Sequence, residues 1–121
     1  MMDIEHQTQC ACVRWFRYQY PEYSMLLFAI PNGGQRNSVT GAKLKAEGVV
    51  AGVADLFLSV PRGNYHGMYI EMKAGKNTQT ESQKEFQRRV ESVGYKYVVC
   101  RSFDDFSNDV DEYLENRKAV Q

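Results

Sequence analysis

Three residues offer the sequence its chemistry: Asp55 in VADLFLSV (53–60), and Glu71 and Lys73 in GMYIEMK (67–73). In a strand, residues two apart project from one face, so Glu71 and Lys73 point together and Met72 points away. Asp55 is a lone carboxylate in an otherwise apolar run, costly to bury without a partner. The intervening loop, PRGNYHG (61–67), suits an antiparallel hairpin that turns near Gly63 or Asn64. Pairing 57 with 69 places Asp55 opposite Glu71. Pairing 57 with 71 places it opposite Lys73 and diagonal to Glu71. Either register collects two carboxylates and one ammonium on a patch, with Cβ atoms about 4.5–5.5 Å apart directly or roughly 7–8 Å apart diagonally. A one-residue slip would disperse them.

Two converging carboxylates repel unless a cation lies between them. Hard oxygen donors favour Mg²⁺ or Mn²⁺, and the main-chain carbonyl of Met72 can add a ligand. A lysine beside them can stabilise developing negative charge or help deprotonate a water. Phosphodiester hydrolysis needs both: charge neutralisation at the phosphate and an activated water. The ordinary alternative is a cross-strand salt bridge on a solvated face, since D…ExK is short and common. The apolar strands, the converging hairpin and a Gly-rich basic segment upstream favour the chemistry.

The elements that must position these groups follow from periodicity and punctuation. The 121 residues suit a single domain spanning 1–121. Apolar residues make up 43% and charged ones 25%, which leaves material for a real core. Fifteen basic and fifteen acidic side chains cancel, so any phosphate binding must come from local clustering. A helix is expected from about Ile4 to Tyr18, capped by Asp3, with Ile4, Ala11, Cys12, Trp15 and Phe16 as its apolar stripe. MLLFAI (25–30) reads as a buried strand, ended by Pro31, Asn32, Gly33 and Gly34. Ser38 to Glu47 forms a short helix with Gly48 at its end. The two strands at 53–60 and 68–74 follow.

Thr80 and Gln83 form a capping-box pattern for a helix to Val93, whose inward stripe is Phe86, Val90 and Val93. YKYVVC (95–100) is a strand that can pair in parallel after that helix. The last helix starts at the Ser102–Asp105 signal and carries Phe103, Phe106, Val110, Tyr113 and Leu114 on one face, with Arg117 and Lys118 suiting its end. Helices before, between and after the strands imply an α/β layered fold with a mixed sheet. Cys10, Cys12 and Cys100 read as reduced thiols, which fits the cytoplasm. No apolar run is long enough to span a membrane, and MMDIEHQTQC lacks the features of a signal peptide.

PNGG (31–34), GAKLKAEGVVAGVADLFL (41–58), GMYIEMK (67–73) and TESQKEFQ (80–87), in that order and spacing, resemble the VRR-NUC domain. This is the virus-type replication and repair nuclease module of the PD-(D/E)XK superfamily. The resemblance covers most of the chain and implies an αβββαβ, restriction-endonuclease-like core with metal-dependent endonuclease activity. It implies that Asp55 and Glu71 bind Mg²⁺ or Mn²⁺ and that Lys73 is the catalytic lysine. The family often has Pro before the Asp, whereas Ala54 stands here, at a position that supplies no ligand side chain. By position, Glu5 matches a site-facing Glu in the first helix of many superfamily members; equally, it can serve only the positive helix end. Gln83 matches the family's early-helix Gln, with Lys73 or a water as its expected partner and capping as the alternative role.

Asn32, Gly33 and Gly34 can bring backbone close to a phosphate, or form only a tight turn. Arg36, Lys43, Lys45 and Lys76, with Lys84, Arg88 and Arg89, form a candidate DNA track, although any one of them alone reads as a solvated charge. His6 and His66 have no partner pattern, though His66 can reach DNA from the hairpin loop. Tyr18, Tyr20 and Tyr23 belong to the core or to a dimer interface. The resemblance implies a homodimer cutting branched DNA such as Holliday junctions, and the family name points to phage DNA processing and repair. A non-catalytic DNA-binding or assembly module is the rival reading. A sequence-reading restriction enzyme ranks last, because no appended recognition element is evident.

Overall fold

Four strands form one mixed sheet between two helical layers. The computed structural model describes residues 3–31 and 38–115. Its elements are α1 (Ile4–Gln19), β1 (Leu27–Ala29), α2 (Ser38–Ala46), β2 (Leu56–Leu58), β3 (Met68–Met72), α3 (Glu81–Ser92), β4 (Lys96–Cys100) and α4 (Phe103–Glu115). The strand order is β1-β2-β3-β4. The first two pairings are antiparallel and the last is parallel. A parallel neighbour needs a crossover, and α3 provides it.

The β2–β3 hairpin takes the register that pairs Phe57 with Tyr69, so it leads Asp55 towards Glu71. Its turn is held by reciprocal main-chain bonds between Arg62 and Tyr65 (3.1 and 2.9 Å). Gly63 takes a positive φ of 56° at the first central position, where a two-residue hairpin turn demands one.

Alternation along β3 sorts its side chains between the two layers. Met68, Ile70 and Met72 join Leu56, Leu58, Cys12 and Phe16, together with Phe106, Val110, Tyr113 and Leu114 of α4, in the main core. On the other face α3 covers a smaller cluster of Ala54, Val90 and Tyr97, flanked by Tyr69, Phe86 and Tyr95. Because both faces are covered, a polar side chain on β3 is buried whichever way it points. Tyr20 ties the end of α1 to α4, with its hydroxyl on Asp111 Oδ1 (2.5 Å) and Glu115 Oε2 (3.1 Å). Tyr23 accepts from Arg62 Nη2 (2.7 Å), whereas Tyr18 stays exposed.

Several boundaries and stripes differ from the expectations. MLLFAI is not a buried strand throughout: Met25 and Leu26 belong to a 3₁₀ turn that Pro21 starts, and β1 keeps only Leu27–Ala29. As an edge strand, β1 buries Leu27 but leaves Phe28 half exposed. Cys12 and Phe16 are the buried residues of α1, while Ile4 in its first turn projects into solvent. Val93 and Phe103 also lie outside the core, because each sits at a helix end beyond the covering layer. Asn32, Gly33, Gly34, Arg36, Arg117 and Lys118 lie outside the described residues.

Candidate active site

Main chain on both sides pins Asp55 just before β2. Its N–H donates to Ile70 O (3.1 Å), and its carbonyl accepts from Ile30 N (2.8 Å). Its side chain turns across the hairpin, where Oδ2 accepts from Met72 N (2.7 Å). Glu71 is only 3% exposed, and both of its oxygens are held. Gln83 Nε2 donates to Oε2 and the Tyr97 hydroxyl donates to Oε1, each at 3.1 Å. Lys73 follows the end of β3, half buried, its N–H bonded to Cys100 O (3.0 Å).

Burial pushes the Glu71 carboxyl up to about 8, and the neighbouring Asp55 charge adds to the rise; the Tyr97 bond and the Lys73 charge oppose it. Asp55 is also raised, first by burial and then by the charge of Glu5, against the lowering effects of the Met72 N–H, Glu71 and Lys73. Both carboxyls therefore favour the protonated form more than free carboxyls do, with burial the largest cause in each. This is not an exposed salt bridge. Glu71 is buried and its hydrogen-bond partners are an amide and a phenol, while Lys73 acts on both carboxylates through space.

Gln83 does two jobs that the sequence left as alternatives. Its Oε1 accepts from Thr80 N (2.8 Å) to complete the capping box, while its Nε2 reaches Glu71. Its partner is thus Glu71 rather than Lys73. The loop before β2 packs tightly on this helix start: Gly52 has φ +87°, and a Cβ there would collide with the main chain of Ser82 and Gln83. Glu5 also reaches the site, accepting from Ala74 N (3.0 Å) with Oε2, one residue past Lys73. Asp3 caps α1 by accepting from Glu5 N (2.9 Å), so the helix end that carries Glu5 is itself fixed.

The expected cationic track is less uniform. Lys43 and Lys45 are exposed on α2, and Lys76 is exposed in the loop after β3; none touches the site carboxylates. Arg101 Nη1 holds that loop through Gly75 O (3.0 Å) and Asn77 O (2.6 Å). Lys84, Arg88 and Arg89 are engaged along α3, by Glu81 in the first case and Glu85 in the other two. Each is thus already held by a carboxylate of its own helix. His66 lies against Tyr95 (ring centroids 5.5 Å apart), and Gly94 leaves room for its ring. The three cysteines are free thiols, with Cys12 and Cys100 buried.

Tyr97 is a site residue that strand patterning did not single out. Its ring lies in the α3-side cluster, and Gln79 Nε2 approaches its hydroxyl (3.3 Å) while also bonding Gln87 Oε1 (3.0 Å). The phenol at the inward position of YKYVVC was the available signal, since a buried hydroxyl requires a partner. Tyr97→Phe is expected to move the Glu71 titration to still higher pH, because it removes a donor to the carboxylate, and to cost about 1–3 kcal/mol above that pH. Denaturant unfolding of variant and wild type from pH 5 to 9 checks this; parallel curves would show that the hydroxyl does not support the charge.

Two neighbouring carboxyls, each raised chiefly by burial, form a donor set suited to a hard divalent cation, which would offset the cost of charging them. Among the described residues no group of three His, Cys, Asp or Glu side chains is arranged to hold a metal ion. The main-chain carbonyl of Met72 remains the expected third ligand.

The family model of the VRR-NUC domain matches residues 2–104. No curated protein matches the chain. A solved structure described as a VRR_NUC domain protein is similar at 28% identity and a TM-score of 0.82, with 95% of this chain and 91% of that one covered.

Proposed function

Since the chain belongs to the VRR-NUC domain family and has its nuclease-family fold, we propose that it is a Mg²⁺- or Mn²⁺-dependent DNA endonuclease. Its substrate in this reading is branched DNA, such as a Holliday junction, and it acts as a homodimer in the reducing cytoplasm of a phage-infected or repair-competent cell. The observation that carries the reading is the buried Glu71 beside the half-buried Asp55, with the charge of Lys73 acting on both. Asp55, Glu71 and the carbonyl of Met72 would hold the cation, which when bound neutralises phosphate charge and lowers the pKa of a water.

The chain's own groups supply the rest. Gln83 and Tyr97 fix the Glu71 carboxylate, and the Met72 N–H fixes that of Asp55. Lys73 places positive charge where negative charge develops on the phosphate oxygens. Glu5 adds negative charge on the α1 side and ties that helix to the chain after Lys73. Two copies would present two such sites to two strands of a junction. The free thiols suit a reducing compartment, and no described helix is long and apolar enough to cross a membrane.

The test compares cleavage of a four-way junction and a linear duplex, with Mg²⁺, with Mn²⁺ and with chelator. Metal-dependent cutting that favours the junction is expected. Binding without cutting in every metal would identify a DNA-binding module instead, and a monomeric mass at micromolar concentration would remove the dimer.

A further inference from the structure

One face of α1 borders a groove of about 680 Å³ that runs from Asp55 and Glu5 past His6 and Gln9 to Arg14 and Arg17. Charge is segregated along it, with carboxylates at the α1 N-terminal end and guanidiniums towards the other. Arg14 and Arg17 are exposed and bond to no described residue. Every other described arginine is engaged: Arg62 by Leu114 O and Tyr23, Arg101 by two loop carbonyls, and Arg88 and Arg89 by Glu85.

We propose that this groove is a phosphate track for the DNA strand entering the site, with Arg14 and Arg17 as its anchors. The proposal rests on the nuclease reading above and deepens it by moving the backbone contacts from α3 to α1. A free guanidinium binds phosphate oxygens in a bidentate fork, whereas one already held by a carboxylate must first lose that partner. The spacing also suits the ligand. At 1.5 Å per residue, Arg14 and Arg17 lie about 13 and 18 Å along the helix from Glu5. That is about four to five steps of a DNA strand at roughly 3.4 Å each. The acidic end would repel the backbone unless a cation occupied it, so the strand is drawn in at the arginines and its reacting phosphate is placed at the carboxylates.

Fluorescence anisotropy with a labelled linear duplex and Mg²⁺, in a Lys73→Ala background that slows cleavage, titrated at rising salt, tests this. The double variant Arg14→Ala/Arg17→Ala is expected to weaken binding at least about tenfold and to flatten the plot of log affinity against log salt by about two units, one for each lost phosphate contact. Arg14→Lys/Arg17→Lys keeps the charges and should keep most of the slope. The matching removal of Lys84, Arg88 and Arg89 should change the slope less than the α1 pair does. Wild-type slope and affinity in the α1 alanine pair would overturn the track while leaving the nuclease reading intact, as would a larger loss on α3. A wild-type chain that binds neither duplex nor four-way junction overturns both.

Discussion

Lys73→Ala is expected to slow single-turnover DNA cleavage by about 10²–10³-fold, the usual cost of removing one group that stabilises charge in the transition state. The substitution should spare the fold. Lys73 is half buried, its side chain makes no ion pair among the described residues, and its main-chain bond to Cys100 O is kept. Its charge lowers the pKa of both Asp55 and Glu71, so the loss has a second signature. Without Lys73 both carboxyls hold their protons to higher pH, and the acid limb of the pH–rate profile should move upward. Equal cleavage by variant and wild type would remove Lys73 from the mechanism. A slower rate with an unmoved acid limb would keep its role at the phosphate but deny its influence on the carboxylates.

Glu71→Gln should separate the metal site from the fold. The Glu71 carboxyl lies at about 8 in the folded chain against an ordinary 4.5. A group raised in this way favours folding at low pH. Its contribution is complete below about pH 4.5 and is lost as pH rises through 8. Asp55, also raised, acts in the same direction. Metal-free wild type should therefore lose stability across this window, while the variant, neutral at that position, should lose less. At pH 8 the metal-free variant should melt higher, by about 4 °C for each kcal/mol relieved.

Mg²⁺ should reverse the order. A cation at one hundred times its dissociation constant adds about 2.7 kcal/mol to a folded state that binds it. The wild type should gain this at pH 8 and far less at pH 5, well below the Glu71 value of about 8. The variant should gain little at either pH. Melting curves with and without Mg²⁺ at the two pH values decide it. An identical Mg²⁺ response in both proteins would mean that the cation binds elsewhere.

Much of this site was legible before any tertiary structure, where the interactions are local. Asp3 and Thr80 cap their helices through bonds spanning two or three residues. The hairpin joins Asp55 to Glu71 across a two-residue turn, so its chemistry was already in the loop. The α3 ion pairs were equally local, at spacings of three and four. Apolar stripes were harder: a helical period says which residues share a face but not where the covering layer stops, which is why Ile4, Val93 and Phe103 escaped the core.

The sequence by itself determined that Glu71 and Lys73 share a strand face and that two hairpin registers would bring Asp55 to them, because alternation along a strand and a tight turn are short-range constraints; the tertiary structure chose the register. Only the tertiary structure decided what that meeting means electrically. Tyr97 reaches Glu71 from 26 residues away, and Glu5 reaches Ala74 from 69 away. The packing of α3 over the sheet, with β4 beside β3, excludes water from Glu71, and desolvation is the largest cause of its raised pKa. Solvent exclusion depends on every element around a group, so the residue types along one strand could not report it.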